Sequence, residues 1–230
     1  MEVTNIIYLF LSVAIGAIIV EVFKPTKSKN IQLLLTFSGA YLLAVSVMHL
    51  IPELFNNKPS NNIGIFILGG FLIQILLEYF SKGIEHGHFH KQRVIPITVM
   101  ISLCIHALLE GIPLGGGHLH DHTQDALLTG IVLHKAPVSI VLFSFFLQSG
   151  MSKLKAYFFL LVFAIMAPLG VYLSYFYDLA IYANEIMAIV IGIFLHISTT
   201  ILFESTDGHK FSTIKIFAII TGSLLAIFSL

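Results

Sequence analysis

The sequence predicts an all-α membrane protein in which eight transmembrane helices form a single domain over residues 1–230. The chain is 57% hydrophobic and 10% charged, with a mean hydropathy of +0.94, whereas soluble proteins carry about 25% charged residues. Most apolar runs reach the roughly 18 residues that a helix needs to cross a hydrocarbon core of about 30 Å. The breaks between the runs are short and polar, so no loop could hold a separate folded domain.

The apolar runs divide the chain into eight segments. In chain order they cover roughly 5–23, 32–54, 63–81, 94–115, 126–148, 155–176, 180–203 and 212–229. Backbone polar groups in lipid must be paired internally, so each segment is predicted to be a helix. The alternating polarity of membrane-barrel strands, in segments of about ten residues, is absent.

Basic residues predict the orientation of these helices. The odd-numbered loops hold most of the 12 basic residues, namely Lys24, Lys27, Lys29, Lys82, Lys91, Arg93, Lys153, Lys155, Lys210 and Lys215. The even-numbered loops hold only Lys58, and Lys135 lies inside a segment. Because basic loops stay in the cytoplasm, the odd-numbered loops are predicted to be cytoplasmic and both termini to lie outside.

Charge and cysteine content exclude several classes of function. The net charge is +0, which argues against nucleic acid as a partner. Cys104 is the one cysteine, so the chain has no intrachain disulfide and no CxxC metal or redox motif.

Two apolar segments carry ionisable residues at matching depth. His106 and Glu110 in the fourth segment are spaced i, i+4 and therefore lie on one helical face. His106 lies about 17 Å from the cytoplasmic boundary and His134, in the fifth segment, about 12 Å from the outer one. In a core of about 30 Å these depths meet near the middle. Imidazole and carboxylate ligands suit zinc and related divalent ions, so the three residues predict a buried metal site.

Helix-breaking residues lie beside this constellation. Gly111 and Pro113 follow Glu110, and Pro137 follows His134. Interrupted helices near the midplane often mark transporter sites, although a simple kink explains each proline equally well.

The motifs HALLEG (106–111) and HKAP (134–137) resemble the paired signatures of helices four and five in the ZIP family of divalent metal transporters. HLIPE (49–53), APLG (167–170) and GIFLHISTT (192–200) resemble parts of the second, sixth and seventh helices. The resemblance covers most of the chain and includes eight helices with both termini outside. It implies that His106, Glu110 and His134 form the primary metal site, between helices four and five.

Two departures from the family pattern concern the second metal ion that many members bind. Ala107 and Lys135 stand where the resemblance places an Asn and an acidic residue, and Val138 replaces a ligand one turn later. Glu110 is the nearest acidic candidate to pair with Lys135, which predicts that the lysine substitutes for the second ion. HKAP itself resembles one subgroup of the family.

Further residues are predicted along a transport pathway. His49 and Glu53 near the outer end of the second segment could pass an ion inward, and His196 and Glu204 could form part of an exit. The alternative for each is a hydrogen-bonded pair at a helix interface. Two loop clusters are predicted to bind metal weakly or to be solvated polar loops: His86, His88, His90, His118, His120 and His122.

The sequence thus predicts a transporter, not an enzyme, that moves a divalent ion into the cytosol. Zn²⁺ is the expected ion, with Fe²⁺, Mn²⁺ and Cd²⁺ as further candidates. The expected partners are the ion, the lipid bilayer and a second copy of the chain in a homodimer. The protein is expected to be a multi-pass integral membrane protein, in the plasma (inner) membrane if its source is bacterial. An intramembrane zinc-dependent hydrolase is the enzyme alternative, although the chain has no HExxH motif. A metal receptor without transport is the third.

Overall fold

The computed structural model describes residues 3–23, 28–56, 59–81, 83, 97–115, 121–204 and 212–228, whose regular structure is helical. The α-helices of these residues are α1 Val3–Phe23, α2 Ser28–Val45, α3 Ile51–Asn56, α4 Ile63–Ser81, α5 Ile97–Gly111, α6 Asp121–Gln148, α7 Lys153–Phe176, α8 Ala183–Glu204 and α9 Thr213–Phe228. A π-helical turn, Ser46–Leu50, joins α2 to α3. Short 3₁₀ helices, Ile112–Leu114 and Leu179–Tyr182, follow α5 and precede α8.

Seven of the predicted spans are confirmed as helices long and apolar enough to cross a membrane. The second of these runs without interruption from Asn30 to Asn56 through the π-helical turn. The eighth predicted segment corresponds to α9, whose described part is apolar but only 16 residues long. An eighth complete span therefore stays a prediction.

Large apolar side chains cover the outer faces of several helices. Ile18 on α1 is 60% exposed, Leu68 on α4 is 58% exposed and Phe217 on α9 is 68% exposed. Exposed apolar surface on this scale is rare in soluble proteins and is typical of a face that meets lipid. Polar side chains such as Gln74 and Ser139 are instead fully buried between helices.

Close helix pairs are built around glycine. A Cβ at Gly70 of α4 would overlap the carbonyl oxygen of Ile189 in α8, and one at Gly111 of α5 would overlap that of Ala167 in α7. Small residues let helix backbones approach closely, which is a main source of packing energy in membranes. The pairs α1–α6 and α2–α9 also approach closely, at Gly16 and Gly222, and α4–α5 and α2–α6 contacts link the pairs.

The fourth and fifth predicted segments, α5 and α6, are not one of these close pairs. Each has its main contacts elsewhere, since α5 crosses α7 and α4, and α6 crosses α1 and α2. The space between α5 and α6 is therefore bridged by long side chains rather than by touching backbones.

Two predicted helix breakers behave differently. α5 ends at Gly111, and Pro113 lies in the 3₁₀ helix that follows it. Pro137 lies inside α6, which continues to Gln148. The structure therefore shows an interruption after Glu110 and none after His134.

The charge of Lys215 predicts a position in a loop. In the structure this residue lies in the first turn of α9. It is buried, and its ammonium donates a hydrogen bond to the carbonyl oxygen of Leu202 at 2.9 Å. The last carbonyls of a helix have no intrahelical donor, which explains why a lysine is accommodated beside the end of α8.

The adjacent glycines Gly69 and Gly70 provide a matched test of this packing. We expect Gly70→Ala to lower the stability of the protein by about 1–3 kcal/mol, because the added methyl group meets backbone of α8 that cannot move aside. Gly69→Ala should be neutral or slightly stabilising, since nothing lies within 4 Å of a Cβ at this position. The measurement is the midpoint of heat-induced loss of the monodisperse protein in detergent. Equal midpoints for the two variants would contradict the close α4–α8 crossing.

Candidate metal centre

His106 and Glu110 meet on one face of α5. Their spacing of four residues places them one helical turn apart, and His106 Nε2 lies 2.9 Å from Glu110 Oε1. Each residue is only 1% exposed. Both side chains therefore point into the helix bundle, away from lipid, as expected for ionisable groups in a span.

His134 of α6 completes a group of three. One ligand atom each from His106, Glu110 and His134 lies within 4.8 Å of the other two, and all three residues are buried. Within the described residues this is the one group of at least three His, Cys, Asp or Glu side chains that is compact enough to hold a metal ion. The two imidazole rings face each other edge to face, with centroids 6.2 Å apart.

The spacing of the three ligand atoms suits a small divalent ion. Ligand atoms around a tetrahedral zinc ion lie roughly 3.3 Å apart, given zinc–ligand bonds of about 2.0–2.2 Å. The largest separation therefore needs to shorten by up to about 1.5 Å to reach this spacing. Three protein ligands would leave the fourth position open.

Lys135 occupies the other side of the Glu110 carboxylate. Its ammonium donates a hydrogen bond to Glu110 Oε2 at 3.0 Å, and both side chains are 1% exposed. The ring of Phe163 on α7 lies 5.0 Å from the lysine nitrogen, close enough for a cation–π contact. Glu110 thus faces His106 with one oxygen and Lys135 with the other, as the predicted Lys135–Glu110 pair requires.

Gln74 of α4 orients His106 from behind. Its Oε1 lies 3.2 Å from His106 Nδ1, so the Nδ1–H donates to the amide and Nε2 faces Glu110. A hydrogen bond to the far nitrogen of a metal-ligating histidine fixes the ring and directs its lone pair. Gln74 is fully buried. Gln74 is not among the predicted site residues, because the prediction rested on ionisable side chains within the apolar segments.

His196 lies apart from the group of three and pairs with a residue that the sequence analysis did not name. Its Nε2 donates to Oε2 of Glu78 on α4 at 2.5 Å. Thr200 Oγ1 lies 3.4 Å from the same nitrogen, and the ring of Phe71 packs edge-on against the imidazole. Gln74 and Glu78 are themselves spaced i, i+4 in an otherwise apolar stretch, FLIQILLEYF, and this spacing could have identified both.

The predicted outer pair, His49 and Glu53, is buried near the start of α3. His49 lies in the π-helical turn and donates a hydrogen bond from Nε2 to the carbonyl oxygen of Ala226 in α9 at 3.1 Å. This contact matches the alternative of a helix-interface hydrogen bond for His49. A part in transport stays a prediction for both residues.

Several predicted residues lie outside the described part of the chain. These are His86, His88, His90, His118, His120 and the side chain of Glu204. His122 is described and lies exposed in the first turn of α6.

Comparison with known proteins relates this chain to one family. Residues 81–229 match the profile of the family described as ZIP Zinc transporter. Zinc transporter ZIP9-B of Xenopus laevis is 30% identical over 119 residues, which are 49% of this chain and 39% of that protein. Zinc transporter ZIP9 of Micropogonias undulatus is also 30% identical over 119 residues, covering 49% and 38% of the two chains.

A third relative, Zinc transporter ZIP9 of Macaca fascicularis, is 26% identical over 149 residues, covering 54% of this chain and 63% of that protein. The chain thus spans about two fifths of the length of the first relatives it matches. The family match covers well over half of the chain and includes both helices that bring His106, Glu110 and His134 together. On this evidence the chain belongs to the ZIP zinc transporter family.

Proposed function

We propose that this protein carries a divalent transition-metal ion, with zinc as the first candidate, across a membrane through a centre formed by His106, Glu110 and His134. The observation that carries the proposal is the compact, buried group of three ligand atoms within 4.8 Å of one another. Membership of the ZIP zinc transporter family and the names of the relatives, all zinc transporters, support the same ion.

The donor set favours ions of the zinc type over Mg²⁺ or Ca²⁺. Two imidazoles and one carboxylate suit Zn²⁺ and other first-row divalent ions, whereas Mg²⁺ and Ca²⁺ prefer oxygen ligands. Fe²⁺, Mn²⁺ and Cd²⁺ are therefore further candidates. An open fourth position lets the ion arrive with a water molecule and leave by exchanging one ligand at a time.

The basic loops support the proposed orientation of the helices. The basic, odd-numbered loops adjoin the last residues of α1 and α4 and the first residues of α7, and these helix ends are proposed to face the cytoplasm. With eight spans, both termini then lie outside. This orientation puts His49 and Glu53 on the outer side, and the proposed direction of transport is from there into the cytosol. Five further points stay predictions: the plasma (inner) membrane if the source is bacterial, a single domain, a homodimer, the HKAP subgroup, and weak metal capture by the loop histidines.

Lys135 supports a centre that holds one metal ion. The ammonium lies 3.0 Å from Glu110 Oε2, in the space where a second cation would share the carboxylate. Two cations bound to one carboxylate repel each other strongly in a medium of low dielectric constant. We propose that Lys135 supplies the second positive charge permanently. The transported ion then binds between His106 and Glu110 Oε1, and Glu110 Oε2 keeps its hydrogen bond from Lys135.

The experiment that separates a transporter from the hydrolase alternative measures ion movement and hydrolysis in the same preparation. The purified protein is reconstituted in liposomes that contain a metal-sensitive dye, and a panel of Zn²⁺, Cd²⁺, Mn²⁺, Fe²⁺ and Mg²⁺ is added outside. We expect protein-dependent zinc flux and no flux of Mg²⁺. Metal-dependent cleavage of lipid or peptide without flux would support the hydrolase instead.

Substitution of the three centre ligands tests the site itself. We expect His106→Ala, Glu110→Ala and His134→Ala each to abolish most zinc flux, because each removes one of three ligands from a site with no described substitute nearby. Glu185→Ala, which removes a carboxylate from the first turn of α8, is the control and should keep wild-type flux. Normal flux in all three well-expressed centre variants would refute the proposed centre.

Gln74 tests whether the orientation of His106 matters for binding. Gln74→Leu keeps the size of the side chain but removes the acceptor for the Nδ1–H of His106. We expect the affinity for Zn²⁺ to fall by about 10–100-fold, as is typical when a supporting hydrogen bond to a metal ligand is lost. Gln124→Leu is a control of the same chemistry at the start of α6. Unchanged half-saturation of flux in Gln74→Leu would assign Gln74 a packing role only.

The single-ion proposal is tested by exchanging the charge at Lys135. We expect anomalous scattering from a Cd²⁺-loaded crystal to give one ion at the centre in the wild-type protein and in Lys135→Met. Lys135→Glu should give two ions about 3.5–4 Å apart, because it places a second carboxylate beside Glu110. Two ions at this spacing in the wild-type protein would rule out the single-ion centre.

A further inference from the structure

Glu78 and His196 form a polar cluster between α4 and α8 that the centre does not include. His196 Nε2 lies 2.5 Å from Glu78 Oε2, and Thr200 Oγ1 lies 3.4 Å from the same nitrogen. An imidazole, a carboxylate and a hydroxyl converge on one point inside a mostly apolar helix pair. Ionisable residues within spans are costly to bury and usually serve a pathway.

The cluster adjoins the metal centre along one face of α4. Gln74 and Glu78 are spaced i, i+4, so their side chains leave the helix on the same face. Gln74 reaches His106 of the centre, whereas Glu78, about 6 Å further along the helix axis, reaches His196. The hydrogen bond from Ser102 to the carbonyl of Leu77 shows that α5 runs beside α4 at this level. The cluster therefore lies one helical turn from the centre, on the side where α4 ends at Ser81.

The cluster is also more accessible than the centre. The side chains of His196 and Glu78 are 12% and 18% exposed, whereas those of His106 and Glu110 are 2% and 1% exposed. Water can therefore complete the coordination of an ion at the cluster.

The α4–α8 pair does not depend on this ion pair for its packing. Gly70 and Gly192 already bring the two backbones into contact, since a Cβ at either would overlap a carbonyl oxygen of the partner helix. Apolar side chains at positions 78 and 196 would also let α4 pack against α8, without the free-energy cost of burying a carboxylate. The polar cluster thus needs an explanation other than helix association.

We propose that Glu78 and His196 form a second, weaker binding site for the transported divalent ion, one turn from the centre. This inference rests on the proposed transport function and extends it to the next position of the ion. His196 Nε2 and a Glu78 oxygen are the protein ligands, with the Thr200 hydroxyl and water completing the shell. Separation of the two ligand atoms to roughly 3.3 Å would admit a zinc-sized ion.

A weak site at this position has a physical purpose in transport. Conduction requires sites that bind strongly enough to receive the ion and weakly enough to release it. The centre offers three protein ligands, and the second site offers two strong ones. The ion that leaves the centre past Gln74 therefore meets a site with fewer protein ligands and more water.

Anomalous scattering from crystals of the full chain soaked in Cd²⁺ tests the site without relying on flux. We expect one peak at the centre and a second beside His196 Nε2 that fills only at higher Cd²⁺ concentration. His196→Phe should abolish the second peak and keep the first. His196→Cys should restore it, because thiolate is a strong ligand for soft ions. A hydrogen bond that only joins α4 to α8 predicts no second peak in any of these proteins.

Flux measurements in liposomes supply the functional half of the test. We expect Glu78→Gln and His196→Phe to slow zinc flux while the wild-type occupancy of the centre is retained. Glu185→Gln, which removes a carboxylate from the opposite end of α8, should leave both unchanged. Absence of the second peak in the wild-type protein at saturating Cd²⁺ would overturn the second site. Absence of flux in the wild-type protein, with both peaks present, would overturn the transport function and leave the site standing.

Discussion

The carboxylate of Glu110 cannot lie between apolar helices without positive charge beside it, and the arrangement around it follows from this constraint. One oxygen faces His106 and the other accepts a hydrogen bond from Lys135. The lysine is in turn covered by the ring of Phe163. A buried charge is tolerated only when it is paired and hydrogen-bonded. Removing Lys135 would leave the carboxylate without its cation, so α5, α6 and α7 are coupled through one side chain.

Under the proposed transport function, this coupling gives a fixed cation a use beside a mobile one. A centre that contains only the transported ion loses its positive charge at each release, and its carboxylate is then left facing hydrocarbon. With Lys135 present, Glu110 remains paired when the ion leaves. The proposed consequence is a smaller difference in free energy between the loaded and the empty centre, which favours rapid exchange.

Much of this arrangement could be predicted from the sequence, because hydrophobic length and i, i+4 spacing are local properties. They identified seven spans and the His106–Glu110 face, and depth matching added His134 and the partner of Lys135. The i, i+4 spacing of Gln74 and Glu78 marks a polar face on α4, but their partners could not be predicted, because His106 and His196 come within reach only when α4 packs against α5 and α8. The buried Lys215 was assigned to a loop for a related reason, since charge alone does not reveal an available helix carbonyl.

The π-helical turn at Ser46–Leu50 has a consequence for how the second span is read. A turn of this kind carries one residue more than an α-helical turn, and one residue corresponds to a rotation of roughly 100°. Residues before Val45 and after Ile51 therefore do not share a single helical wheel. A face drawn through α2 at constant periodicity emerges about a quarter-turn away from its expected direction in α3. The span therefore consists of two helical segments whose faces are rotated relative to each other, and His49 lies in the turn that causes the rotation.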